Sequence, residues 1–211
     1  MGTNNKSDDI QFRPLERADI RPLCDLMKRT DATIDGFTSL SIYRAVMGDS
    51  LARGGTVVII ALRERRIVGY AIALIDRMSY WRTFMLRHPG TIGEVIFQRA
   101  SITMSKEKKE RTHREPQLPE YVSGASSGRS WTESSRDIAK IMHIAVDASS
   151  RHRGIGKELY KRLFAALAGR GVRRVDANIG YENIPSIRLH AATGWKIERA
   201  ADNLFASIDI A

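Results

Sequence analysis

The chain has 211 residues, 43% of them hydrophobic and 27% charged, with a single cysteine. That length favours one domain, or one domain carrying an insertion, and a lone Cys24 excludes both an internal disulfide framework and a cysteine-cluster zinc site. Thirty-four Lys and Arg against 24 Asp and Glu give a formal charge of +10, which favours polyanionic partners such as nucleic acid, an anionic membrane, or a phosphorylated cofactor or substrate. The polar start MGTNNKSDD lacks the apolar core of a signal peptide, and the longest apolar runs, Val57–Leu62 and Ile67–Ile75, are far too short to span a membrane. The expectation is a soluble, cytoplasmic, basic protein.

In chain order, Ile10–Leu15 predicts a short strand and Glu16–Thr30 a helix, from the spacing of Ile20, Leu23, Leu26 and Met27. Pro22 within that run predicts a late start or a bend. A weaker helical pattern covers Phe37–Met47. After Gly54-Gly55, the runs Thr56–Leu62 and Ile67–Ile75, joined by the charged Arg63–Arg66, predict a hairpin. From Arg77 the composition changes. Met78–Ala100 mixes aromatic and basic residues, breaks at His88-Pro89-Gly90, and leads into SKEKKERTHREPQLPE and then SGASSGRS. Such polar stretches bury little surface and predict a mobile loop, so 77–137 reads as an insertion. The second half predicts a strand at Ile138–Val146, a polar turn at Asp147–Arg153, and an amphipathic helix at Gly156–Arg170 with Leu159, Leu163, Phe164 and Leu167 on one face. A strand at Val172–Ile179, a helix at Pro185–Ala192 and closing strands at Trp195–Ile197 and Leu204–Ile210 follow. The expected fold class is α/β (α+β): a mixed central sheet flanked by helices, with a helical and loop insertion between the third and fourth strands.

The segment Ile144-Ala-Val-Asp-Ala-Ser-Ser-Arg-His-Arg-Gly-Ile-Gly-Lys157 joins a strand to a helix N-terminus. Its two glycines permit a tight turn in which successive N–H groups face one concavity, and the following helix adds unpaired N–H groups and the positive end of its dipole. With Arg151, Arg153 and Lys157 alongside, this is a cradle for phosphate or pyrophosphate. It is not a Walker A loop, because Arg151 and Glu158 stand where Gly and Ser/Thr are needed, nor a dinucleotide fingerprint, because Leu159 replaces the third glycine. The plainer alternative is a glycine turn with solvated arginines.

Arg151-His-Arg-Gly154-Ile-Gly156, preceded by Ile144-Ala-Val146-Asp, resembles the Arg/Gln-x-x-Gly-x-Gly/Ala signature of the GNAT superfamily of acyl-CoA-dependent N-acyltransferases. Asn183-Ile-Pro-Ser186-Ile-Arg-Leu-His190-Ala-Ala-Thr-Gly194-Trp195 is similar to that family's downstream segment, and Phe12-Arg-Pro-Leu-Glu-Arg-Ala-Asp19 to its first strand and the start of its first helix. The resemblance implies one N-acetyltransferase domain over 1–211, its core at 10–76 and 138–210. It implies acetyl-CoA as co-substrate and an amine as acceptor. The strand segment Ile144, Ala145 and Val146 would pair with the pantetheine arm through the backbone groups of Ile144 and Val146. Amides of Arg151, His152, Arg153, Gly154, Ile155, Gly156 and Lys157 would hold the pyrophosphate. Asn183 would hydrogen-bond the pantetheine, and the helix carrying Ser186 and His190 would flank the thioester.

Direct attack by an amine needs a base for the ammonium proton and a donor for the departing thiolate. Family members often carry tyrosine where this chain has His190, which makes His190 the expected donor; a packing role is its alternative. Some relatives place a glutamate base five residues before the motif asparagine, where this chain has Asn178, so a base must come from elsewhere. His143, three residues before Val146 on its strand, is the candidate base; a structural role is its alternative. His88, His113 and His152 are too scattered for a metal-ligand pattern. Residues 77–115 carry nine basic and four acidic side chains, which suits a cover over the acceptor cleft, a phosphate-bearing acceptor, or peripheral contact with an anionic surface. A homodimer is compatible with all of this. Competing readings are an acyl-CoA-binding regulatory module without turnover and a non-specific nucleic-acid binder, the latter resting on charge alone.

Overall fold

The computed structural model describes residues 10–30, 32, 40–91, 93, 122–125, 135–200 and 203–210. Its organising element is a hairpin, β2 (Thr56–Arg63) and β3 (Arg66–Ile75). The two-residue turn between them holds Glu64 and Arg65 at φ 50° and 65°, the pairing of left-handed residues that matches the twist of flanking strands. Both strands are buried nearly throughout, because the hairpin is covered on both faces. Val58, Ile60 and Leu62 of β2 pack to one side with Tyr70, Ile72 and Leu74 of β3, against helices α1 (Ile20–Arg29), α2 (Leu40–Arg53) and α3 (Arg77–Arg87). Val57, Ile59 and Ala61 face the other side with Ala71 and Ala73, against α4 (Ile155–Ala168) and α5 (Ile184–Ala191).

Among the described residues the sheet has eight strands in the order β1-β2-β3-β5-β6-β8-β7-β4, where β1 is Gln11–Pro14, β4 Ser123–Ala125, β5 Ile138–Val146, β6 Arg174–Ile179, β7 Lys196–Arg199 and β8 Leu204–Asp209. β5–β6 and β4–β7 pair parallel and the other pairs are antiparallel. The expected mixed sheet flanked by helices is observed. Among the described residues, no helix is long and apolar enough to cross a membrane.

Three local features have physical causes. The helix starts late, as Pro22 predicts: Arg17–Asp19 form a 3-10 turn and α1 begins at Ile20, which makes Pro22 its third residue, where the missing N–H is one of the donors that have no intrahelical partner anyway. Among its described residues, the segment 77–137 supplies a core helix and an edge strand to the fold. Tyr80 and Phe84, one helical turn apart, bury α3 in the core beside α1 and α2, and β4 lies at the sheet edge against β7. The aromatic residues read as an excursion are thus partly core. Residues 92, 94–121 and 126–134 of that segment, His113 included, lie outside the described residues.

At the centre of the sheet β5 and β6 pair only through Ile138–Lys140 and Arg174–Asp176. The last of these rungs carries a buried charge cluster: Lys140 and Asp176, 1% and 0% exposed, are linked Nζ to Oδ2 at 3.4 Å. Arg174 donates to the same carboxylate from Nε at 3.1 Å. Burial lowers the Lys140 pKa, and Asp176 opposes that shift. Removing the anion that Lys140 and Arg174 share breaks a buried charge cluster, so Asp176→Ala should lower unfolding free energy by about 3–5 kcal/mol. Lys140→Met, which leaves Asp176 paired with Arg174, should cost markedly less. Urea unfolding of the two variants measures the difference.

Candidate active site

Past the Lys140–Asp176 rung the two central strands separate. β5 continues to Val146 paired with β3, and β6 continues to Ile179 paired with β8. Each stays with its outer neighbour, so a wedge opens between them. Met142, His143, Ile144, Ala145 and Val146 are consecutively half-exposed where the strand loses its inner partner. The Asp147 N–H donates to Val68 O at 2.8 Å, towards β3. Because backbone groups alternate in direction along a strand, Val146 and Ile144 turn their N–H and C=O groups to the open side. Val146 O there accepts a hydrogen bond from Arg151 Nε at 3.1 Å.

A β-bulge decides what faces the wedge. Ile72 pairs with His143 and Ala73 with Ile141, so Met142 is the extra residue. Without it, His143 would share the α4 face with Ala139 and Ile141. With it, His143 joins the opposite face, where its ring stacks on Tyr70 with centroids 5.6 Å apart. Its Nδ1 lies 3.0 Å from the Tyr70 hydroxyl. Burial pushes the His143 pKa down to about 4, so the ring is neutral near neutral pH.

The loop after β5 is built from short-range polar contacts. The Asp147 carboxylate accepts from Ser149 N–H at 3.1 Å and from its hydroxyl at 2.8 Å. Those bonds, with Arg66 and Arg29 nearby, hold the carboxyl below its usual range. His152 and Gly154 then adopt left-handed conformations, φ 62° and 76°, and α4 begins at Ile155 with no side-chain cap on Gly154. The first amides of α4, at Ile155, Gly156 and Lys157, are therefore the uncapped donors of the helix. Arg151, His152, Arg153, Gly154 and Lys157 are exposed around them, and a Cβ built on Gly154 meets nothing within 4 Å. The Ser150 hydroxyl in the same turn is buried without a hydrogen-bond partner among the described residues. An uncapped, open, basic helix start of this kind fits a pyrophosphate.

Two other glycines seat α4. A Cβ on Gly69 of β3 would lie 3.2 Å from Ala145 O and 3.3 Å from the side chains of Ile155 and Leu159. A Cβ on Gly156 would lie 3.2 Å from the Leu189 side chain of α5. The second glycine of the loop motif thus serves helix–helix approach rather than the turn.

On α5, Asn183 is the N-cap: its Oδ1 accepts from Ser186 N–H at 3.1 Å. The exposed side chain keeps its amide N–H groups for another partner. Ser186 Oγ lies 3.3 Å from His190 Nδ1. His190 points inward, 2% exposed, among Tyr160, Phe164 and Trp195. Its Nδ1 donates to Ser186 O at 2.7 Å, and its Nε2 accepts from the Tyr160 hydroxyl at 2.9 Å. Burial pushes its pKa down to about 4. A neutral imidazole whose one N–H is committed to a carbonyl has no proton for a thiolate, so the structure assigns His190 to packing, against the expected donor role. Tyr160, passed over in the apolar pattern of α4, is what holds it. Asn178 is exposed on β6, whereas Asp176 and Glu198 are buried in ion pairs.

The Acetyltransferase (GNAT) family model matches residues 112–195. The match starts inside the stretch read as an insertion and runs through β5, the cradle and α5. No curated protein sequence matches the chain. Among solved structures, an N-acetyltransferase from Staphylococcus aureus Mu50 superposes with a TM-score of 0.59 at 15% identity, over 97% of this chain and 100% of that one. A GNAT superfamily phosphinothricin acetyltransferase from Sinorhizobium meliloti, in complex with AcCoA, gives 0.58 at 19% identity, over 95% and 88%. The PaiA N-acetyltransferase from Thermoplasma acidophilum, in complex with coenzyme A, gives 0.56 at 11% identity, over 95% of this chain and 99% of that one. The fold of those enzymes is the fold of this chain. The segment matched by the family model covers the cradle and α5, and the chain has the GNAT fold.

Gly156→Val should push α5 off α4 at Leu189 and destabilise the fold by about 1–3 kcal/mol, read as a lower Tm with weaker retention on a coenzyme A resin. His190 gives a second expectation. Its folded pKa of about 4 lies below the unfolded value of 6.5, so its contribution to stability is complete above pH 6.5 and is lost as pH falls towards 4. The urea midpoint of the native chain should therefore fall more steeply over that range than that of His190→Leu.

Proposed function

We propose that this chain transfers the acetyl group of acetyl-CoA to a primary amine by direct attack on the thioester. The observation that carries this reading is the wedge itself. Backbone groups of Ile144 and Val146 turned away from β3 line one side, an uncapped helix start stands at one end, and a neutral imidazole lies three residues down the same strand. Pantetheine amides suit the strand edge, with Val146 O released by Arg151. The pyrophosphate suits the amides from Arg151 to Lys157, and the amide of Asn183 reaches the arm from the other side. Complexes of AcCoA and coenzyme A with structural relatives support that choice of co-substrate.

The acceptor ammonium first gives one proton to bulk water and then reacts as the free amine. Its nitrogen attacks the thioester carbonyl, forming the N–C bond, and the attached nitrogen becomes far more acidic than a free ammonium. A weak base then suffices, and His143 takes that proton. As the adduct collapses the C–S bond breaks and the amide carbonyl re-forms. The thiolate leaves as the better leaving group and takes a proton from the imidazolium or from water. Residues 10–76 and 138–210 form the catalytic core in this reading, and α3 extends it on the side of α1 and α2, where His143 faces.

A screen of amines with acetyl-CoA, read as release of free thiol, tests the activity. Thiol release with at least one amine class is expected. His143→Gln should lower kcat about a hundredfold with little change in KM for acetyl-CoA. The neutral form of His143 exists above a pKa of about 4, so its limb of the pH–rate profile lies at the acid end, and the rise at alkaline pH belongs to the acceptor amine. Tight acetyl-CoA binding without thiol release for any amine would mark the chain as a binding module.

A further inference from the structure

The hydroxyl of Tyr70 lies between two partners. On one side is His143 Nδ1 at 3.0 Å, and on the other Thr30 Oγ1, also at 3.0 Å. Thr30 follows the last residue of α1, and its hydroxyl lies 3.0 Å from Leu26 O and 3.2 Å from Met27 O, both of which can only accept. The line therefore runs from the wedge to the end of a helix. Tyr70 is fully buried in the core on β3, and His143 has no other hydrogen-bond partner among the described residues.

Counting protons gives this line a direction. If His143 carries its proton on Nδ1, it donates to Tyr70, Tyr70 donates to Thr30, and Thr30 donates to the helix carbonyls: three protons make three hydrogen bonds. In the opposite sense Thr30 donates to Tyr70 and Tyr70 to a bare Nδ1, so the same groups make only two. Each internal hydrogen bond is worth about 1 kcal/mol, and the helix carbonyls favour the first arrangement. The phenol cannot act as an anion here, because burial raises its pKa well above the ordinary tyrosine value. Its titratable neighbours, Tyr43 of α2 and Cys24 of α1, are themselves buried, and burial raises the Cys24 thiol pKa to about 11.

We propose that Thr30 and Tyr70 are positioning residues that hold neutral His143 as its Nδ1–H tautomer, leaving Nε2 as the bare nitrogen that accepts the substrate proton. The proposal rests on His143 as the base. When Nε2 takes a proton, Nδ1–H still points at the Tyr70 oxygen, so the imidazolium keeps its hydrogen bond and needs no rearrangement. The Met142 bulge brings His143 to the face where Tyr70 stands, and the end of α1 supplies the acceptors that orient the line.

The test reads the tautomer directly, without turnover. In protein labelled with ¹⁵N-histidine, long-range ¹H–¹⁵N correlation near pH 7, with His143→Gln assigning the signal, should show a protonated Nδ1 and a bare Nε2 at His143. Tyr70→Phe should shift the ring towards Nε2–H and lower kcat about tenfold while KM for acetyl-CoA stays unchanged. Thr30→Val should do the same to a smaller degree, and Thr30→Ser should restore both readouts. Should Tyr70→Phe fail to fold, the native tautomer and the Thr30 pair decide. Finding Nε2–H in the native protein, or an unaltered tautomer in the Tyr70 and Thr30 variants, overturns the proposal. The two readings fail separately. Full activity of His143→Gln with the expected tautomer removes the base, whereas an inactive His143→Gln with an Nε2–H ring removes the positioning line alone.

Discussion

The parting of β5 and β6 depends on one rung. Lys140 and Asp176 face each other at the last paired position of the two parallel strands, with Arg174 on the same carboxylate. Burying such a cluster costs desolvation that its mutual attraction only partly returns. What it adds is register: a one-residue slip of β5 would carry Lys140 to the α4 side and leave charges buried without partners. An apolar rung would tolerate that slip. Below this point the sheet is continuous; above it each strand follows its outer neighbour, and the wedge is the space left between two otherwise complete half-sheets.

The rest of the site follows from that separation with few specialised side chains. Once β5 loses its inner neighbour, alternating backbone groups at Ile144 and Val146 face outward as a matter of strand geometry, and one backbone bond, Asp147 N–H to Val68 O, fixes which ones. Two left-handed residues turn the chain, and α4 starts without a cap, so its amides stay available. Gly69 and Gly156 let α4 settle close to β3 and α5. The binding surface is thus mostly main chain. Its side chains, Arg151, Arg153 and Lys157, add charge around donors already in place.

This explains which parts were legible in the sequence. The cradle was, because turn, glycine and helix start follow one another within about a dozen residues and need no distant partner. The strands around it were legible for the same reason, as was the hairpin with its charged turn. The face occupied by His143 was not: strict alternation puts it beside Ile141, and the bulge that reverses this exists only in the pairing of β5 with β3. Thr30 and Tyr70 are 40 residues apart and meet only when α1 packs on β3. The burial of α3 was written as Tyr80 and Phe84 but masked by the arginines around them.

His143 and His190 show why a shifted pKa does not by itself identify a reacting group. Both are pushed by burial to about 4, and both are neutral near pH 7. They differ in what the second nitrogen does. In His190 one nitrogen gives its proton to Ser186 O and the other receives one from Tyr160, so the ring is closed off between two helices and serves as a polar strut in an aromatic cluster. In His143 one nitrogen is engaged and the other has no partner among the described residues. The resemblance drew attention to position 190 because members of the family it resembles often carry a tyrosine there. A tyrosine is longer, and its hydroxyl lies well beyond where an imidazole nitrogen ends. Shortening the side chain moves its polar atoms back into reach of Tyr160 and Ser186, and the chemistry expected at that position loses its donor by geometry before any question of acidity arises.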